Sequence, residues 1–291
     1  MSPSTDTAID PSPSAGGSRL RRLAARVGGF GYPQRSGRRA RTVVAAAAAG
    51  TLALALASCG GDDDSGSGST TLTVLAASSL TNAFDQLEGT YEDQHSDVDV
   101  KLSYDSSSIL AEQVTSGAPA DVLATADPIT MKTVTDAGDT DGQPTIFARN
   151  TMVIVTPSDN PAGIQNIGDL TDASVAVCVP EAPCGNATQQ LLKLNNIDLQ
   201  PATEEDNVSS VLTKVTSGEV DAGFVYVTDA QAAGSDVQTI QIPHSAEVVN
   251  DYPIAVIADS DHSQAAQDWV DLVMSQQGQD VLAKFGFQTV S

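Results

Sequence analysis

From Thr71 onward the sequence predicts an α/β fold of two lobes with mainly parallel sheets. Two observations point there. Short apolar runs of strand length alternate with segments of helical period. The roughly 220 residues that follow suit two units of about 100 residues each.

Taken in order, Leu72–Ala76 reads as a buried strand, apolar apart from Thr73. Ala83–Tyr91 reads as a helix, because Ala83, Phe84, Leu87 and Tyr91 recur near helical spacing. Val98–Leu102 alternates apolar and polar, as a half-buried strand does. Ser106–Ser116 is helical, with Ile109, Leu110 and Val114 on one face and Gly117 as its stop. Asp121–Thr125 is a strand, and Asp127-Pro128 opens a helix with proline at its first position. Thr151–Thr156 and Val175–Val179 read as strands, Asn186–Leu194 and Val208–Ser217 as helices. Ala222–Val227 and Tyr252–Ala258 read as strands. Ser263–Met274 and Gly278–Phe285 close the chain as helices. No internal repeat appears.

The first 58 residues differ from the rest. They hold eight of the 14 Lys+Arg and only two of the 37 Asp+Glu, so the remainder carries six bases against 35 acids, a formal charge of −29. That surface repels nucleic acid and anionic membrane, and its field opposes any anion. An anion could be held here only by local hydrogen-bond donors. For most of the acids solubility is a sufficient reason.

Arg38, Arg39 and Arg41 precede an apolar run from Val43 to Ala57, and then comes Leu56-Ala57-Ser58-Cys59. A basic segment, a short apolar segment and small residues before the break describe a secretory signal. The run is shorter than the ~20 residues of a comfortable membrane span. The ending resembles a lipobox, in which Cys59 would become the lipidated N-terminus. Residues 59–70, rich in Gly, Ser and Asp, read as a flexible tether that holds the domain off the membrane. Residues 1–58 are thus expected to be an N-terminal extension with a lipoprotein signal peptide. Once Cys59 carries lipid, Cys178 and Cys184 remain, and an even pair in an exported domain favours a disulfide over two buried thiols. Two prolines between them make that segment loop-like.

Three places combine a strand end, small polar residues and a helix start: Ala76–Asn82, Tyr104–Leu110 and Glu181–Asn186. Free N–H groups at a helix N-terminus suit an anion, and ligands of open α/β sheets sit beyond the carboxyl ends of strands. A single serine in such a place is ordinarily a helix cap. Three such corners in one exported chain favour a nest of donors for a fully ionised oxyanion, which has acceptors only.

From Thr71 to its end the chain resembles periplasmic molybdate-binding proteins. The resemblance rests on Ala76–Ala83 (AASSLTNA), Ser106–Gln113 (SSSILAEQ), Gly117–Asp127 (GAPADVLATAD), Glu205–Val208 (EDNV), Ala222–Tyr226 (AGFVY), Tyr252–Val256 (YPIAV) and Lys284–Phe287 (KFGF), in that order. It implies the type 2 two-lobed periplasmic-binding-protein fold, with residues 71–148 and 233–291 as one lobe, 149–232 as the other, and the ligand in the cleft between them. It implies molybdate, or tungstate of nearly equal size and charge, delivered to an ABC importer permease. The protein would be a monomer, anchored through Cys59 to the outer face of the cell membrane, with no cofactor and no catalysis. Carried over by position, Ser79 and Ser107 would give hydroxyls and N–H groups, Cys184 and Val208 backbone N–H groups, and Tyr226 its phenol O–H. The anion would be held without direct ligands to the metal.

Two residues depart from the family's pattern. Asp105 stands two residues before Ser107, where a carboxylate would repel the anion, so it is expected to point away. Cys184 replaces a small loop residue, and a bridge to Cys178 would stiffen the loop that presents its N–H.

Other readings are weaker. Sulfate is smaller, and phosphate carries a proton for which a donor-only site has no acceptor. An exported hydrolase would need a nucleophile elbow, Gly-x-Ser-x-Gly, which is absent. His95, His244 and His262 lack metal-ligand spacing and read as surface residues.

Overall fold

The first apolar run becomes β1 (Thr70–Ala77) in a computed structural model that describes residues 69–290. The expected signal peptide, Cys59 and the tether up to residue 68 lie outside the described residues. A short 3-10 turn at Ser78–Leu80 leads into α1 (Thr81–Gln94), followed by β2 (Val98–Asp105), α2 (Ser107–Thr115), β3 (Val122–Ala124), α3 (Pro128–Ala137) and β4 (Thr140–Asn150). Next come β5 (Met152–Pro157), β6 (Val175–Cys178), α4 (Pro183–Leu194), β7 (Thr203–Glu205), α5 (Val208–Thr216), β8 (Ala222–Tyr226), α6 (Val227–Ala233) and β9 (Val237–Ile240). The chain ends with β10 (Asn250–Ile257), α7 (Ser263–Met274), α8 (Gln276–Lys284) and β11 (Gln288–Thr289). Two sheets result, in the orders β11-β4-β10-β3-β1-β2 and β7-β6-β8-β5-β9.

Each sheet is the centre of a lobe. In the first, β1 is apolar on both sides because both of its faces are covered. Leu72, Val74 and Ala76 join Phe84, Leu87 and Tyr91 of α1 and Trp269 of α7. Leu75 and Leu123 instead meet Leu110 and Val114 of α2 and Met131 and Val134 of α3. The Phe84 ring lies 5.6 Å from Trp269, edge to face, and 5.9 Å from Phe147. Local signals are strongest at α3, where the Asp127 carboxylate accepts the Thr130 N–H at 2.8 Å, Pro128 occupies the first turn and Gly138, at φ 86°, ends the helix.

Three expectations need correction. The sheets are mixed rather than mainly parallel. β1 is parallel to β2 and β3, and β6 to β7 and β8. But β10 runs antiparallel to β3 and β4, β11 to β4, and β5 to β8 and β9. The elements that carry the chain from one sheet to the other, β4–β5 and β9–β10, supply these reversed strands. Second, β4 was not anticipated, because it contains Gly142 and Pro144 and is largely solvent-facing, which erases its period. Third, the return to the first lobe falls later than residue 233: β9 still pairs with β5 in the second sheet, and the first sheet resumes at β10.

Phe84 sits where α1, α7 and β4 meet and is fully buried. Phe84→Ala should destabilise the protein by about 3–5 kcal/mol and lower the melting temperature by roughly 6–20 °C. A drop below about 2 °C in a calorimetric scan would remove this cluster from the core.

Candidate functional site

The carboxyl ends of β1 and β2 in one lobe face the starts of α4 and α5 and the end of β8 in the other, across a narrow cleft. All five residues expected at the ligand site line it: Ser79 and Ser107 from the first lobe, and Cys184, Val208 and Tyr226 from the second. Each is buried. Among the described residues no lysine, arginine or histidine lines the cleft, and the one charged residue there is Asp105.

The polar groups are arranged to donate. Ser107 begins α2, and its Oγ accepts the N–H of Ala126 at 2.9 Å, which leaves the hydroxyl proton free to point elsewhere. Ser79 lies in the 3-10 turn after β1, with its Oγ 2.9 Å from the Tyr252 hydroxyl of β10. Either hydroxyl can donate in that bond, and Tyr252 has a further partner. The Asn150 carbonyl oxygen accepts the Thr151 N–H at 3.0 Å, so the amide end of Asn150 is the donor. That amide donates to Thr228 Oγ1 at 2.9 Å and to the Tyr252 hydroxyl at 3.4 Å. Tyr252 receives from Asn150 and shares a bond with Ser79, so the Ser79 hydroxyl is held at the cleft by its neighbour. The chain of bonds starts at the crossing between β4 and β5, where the two lobes join.

The second lobe contributes mainly backbone. α4 begins at Pro183 and has no side-chain cap, so the first-turn N–H groups that include Cys184 remain uncapped. The Cys178–Cys184 disulfide ties that turn to the end of β6. Gly185 follows, and a Cβ there would collide with the Val179 carbonyl, so only glycine lets the turn pack so closely. α5 is capped by Asn207, whose Oδ1 accepts the Ser210 N–H at 3.0 Å, so the cap does not take the N–H of Val208. Tyr226 ends β8. Its hydroxyl is completely buried and makes no hydrogen bond within 3.5 Å among the described residues, with the Tyr252 hydroxyl as a looser neighbour. Burial holds it well above the ordinary tyrosine pKa, so it keeps its proton and remains a donor.

Asp105 does not point away, as had been expected. It lines the cleft, and its Oδ1 accepts the Ser106 N–H at 2.7 Å and the Asn207 amide at 3.0 Å. The carboxylate is held there because two donors, one from each lobe, converge on it. Sequence reasoning also missed the roles of Tyr252, Asn150 and Asn207. Tyr252 stood within a recognised strand, but nothing local announces that its hydroxyl meets Ser79, 173 residues away.

Fold and cleft together define a two-lobed binding protein whose cleft carries serine, tyrosine and backbone groups beside one carboxylate. The chain belongs to the bacterial extracellular solute-binding protein family, whose model matches residues 72–288. Proteins of this family bind solutes and are not enzymes. The chain is 41% identical over 218 residues to the molybdate-binding protein ModA of Mycobacterium tuberculosis H37Rv, covering 74% of this chain and 84% of that one. Among solved structures it resembles the periplasmic molybdate-binding protein of Azotobacter vinelandii, with TM-score 0.65, 19% identity, and 76% of this chain and 100% of that chain covered. The sulfate-binding protein SubI of M. tuberculosis gives the same TM-score of 0.65 at 22% identity, covering 76% and 88%. At that identity these two structures share the fold alone.

Behind the cleft, Asp229 is fully enclosed, and its Oδ2 accepts the Tyr226 N–H at 3.0 Å. Burial raises its carboxyl from the usual 3.8 to about 7, against the opposing effect of that N–H. Between these values the folded chain holds a proton that the unfolded chain has released. This group's contribution is therefore largest below pH 3.8 and declines toward pH 7, by about 1.4 kcal/mol per unit. Asp229→Asn should flatten that decline in urea unfolding measured at pH 5, 6 and 7. An unchanged slope would mean that Asp229 is ionised throughout.

Proposed function

We propose that this protein captures molybdate, with tungstate as an equivalent ligand, and delivers it to an ABC importer permease. Ser79, Ser107, Cys184, Val208 and Tyr226 hold the anion in this reading, and no side chain ligates the metal itself. The observation that carries it is the buried hydroxyl of Tyr226 in a cleft that offers N–H and O–H donors and, among the described residues, no lysine, arginine or histidine. A fully ionised tetrahedral oxyanion accepts from every direction and needs no cation. The 41% identity to ModA of M. tuberculosis supports molybdate as that oxyanion. Because the donors come from both lobes, the ligand favours the closed form by differential contact. We further propose that Cys59 is lipidated, that residues 59–70 tether the domain to the outer face of the membrane, and that the protein acts as a monomer.

Hydrogen bonds to a charged group contribute about 1.5–3 kcal/mol each. Ser79→Ala, Ser107→Ala and Tyr226→Phe should each weaken binding roughly ten-fold or more in calorimetric titration with molybdate. Tungstate should bind comparably, and sulfate weakly. If the wild-type protein binds sulfate more tightly than molybdate, the ligand assignment fails. If all three variants bind as wild type, the residues are not the site.

The bridge between Cys178 and Cys184 holds the turn that offers the Cys184 N–H. Replacing both cysteines by alanine keeps that N–H but frees the turn, and affinity should fall several-fold while the fold survives. Equal affinity of the bridged and bridge-free proteins would show that helix packing alone positions this donor.

A further inference from the structure

Among the described residues, Asp105 is the one charged residue on a cleft otherwise lined by neutral groups. A carboxylate is a poor neighbour for an anion unless it does something else. It lies at the end of β2 in the first lobe, and its Oδ1 receives the Asn207 amide across 102 residues of sequence. Asn207 belongs to the second lobe and caps α5, the helix that begins at Val208. The same carboxylate oxygen receives the N–H of Ser106, the residue before Ser107. One oxygen thus joins the corner that carries Ser107 to the helix start that carries Val208.

We propose that Asp105 and Asn207 form a clasp across the cleft that holds the two lobes closed over the ligand. They are positioning residues: the clasp fixes Ser107 and Val208 relative to each other and slows ligand escape. The geometry supports this in two ways. Asn207 is fully used, its oxygen on Ser210 and its amide on Asp105, so its orientation is set from both sides. The bond is charge-assisted, and both side chains are half-buried where the lobes meet, so solvent screens it only in part. In this proposal the bond belongs to the closed form, because it joins a group from each lobe.

The inference rests on the proposed reading in that the lobes close over a bound oxyanion. Exchanging the two residues provides the test. Asn207→Asp retains an acceptor to cap α5 but sets two carboxylates face to face. Asp105→Asn together with Asn207→Asp restores one donor and one acceptor with their direction reversed, and keeps the total charge. With the purified full chain and molybdate, Asn207→Asp should weaken binding at least ten-fold, mostly through faster release. The exchanged pair should recover to within about three-fold of wild type. Asn207→Ser keeps a capping hydroxyl too short to span the cleft and should lose several-fold. The proposal is overturned if Asn207→Asp binds and releases molybdate as wild type does, or if the exchanged pair is no better than Asn207→Asp alone. Hydrogen exchange of the segments 104–110 and 206–212 tests the clasp without reference to ligand identity. Exchange should be faster in Asn207→Asp and restored in the exchanged pair, whereas equal exchange in all three proteins rejects the clasp. Wild type that fails to bind molybdate yet shows this exchange pattern rejects the ligand reading and leaves the clasp standing.

Discussion

The buried hydroxyl of Tyr226 sets the terms for the rest of the cleft. A buried O–H with no partner costs about 1–3 kcal/mol, and the fold tolerates it although serines, a second tyrosine and backbone groups lie close by. The neighbours are committed elsewhere. Tyr252 is occupied by Asn150 and Ser79, and Ser107 by Ala126. With a formal charge of −29 on residues 59–291, the chain cannot draw an anion by its overall field. Donors fixed in a small enclosed space can do so, because the local dielectric is low and no cost remains for orienting them.

This arrangement depends on the joint between the lobes. Asn150 stands where β4 gives way to β5, and Tyr226 where β8 passes into α6. The network from Asn150 through Tyr252 to Ser79 therefore starts at the crossing and ends at the cleft. Movement of one lobe against the other would shift donors on both sides together. That coupling lets a ligand contacted by both lobes select one arrangement of them. The disulfide and Gly185 stiffen the α4 corner, so less ordering is required of it when a ligand arrives.

Much of this was readable in the residues. Continuous apolar runs gave β1 and β8, helical spacing gave α1 and the bounds of α7, and the capping signals of Asp127-Pro128 marked α3. The three corners were visible as strand ends followed by small polar residues. β4 was not, because Gly142, Pro144 and its exposed face leave no alternation to detect, and β7, β9 and β11 are short and mostly polar or exposed, so no apolar run marks them. Tyr226 was reached only through family resemblance, since a tyrosine ending an apolar strand reads as core.

By itself the sequence determined the α/β class, the lobed size, the acidic surface and the corners that could offer donors. These follow from local pattern and composition, which act within a few residues. The tertiary structure alone decided the antiparallel strands that link the two sheets, the meeting of Tyr252 with Ser79, and the turn of Asp105 toward Asn207 rather than away from the cleft. Those outcomes depend on which groups meet across 102 to 173 residues, and no local preference encodes such a meeting. It is set by how two sheets with shared crossings come together and by the need of each buried polar group for a partner.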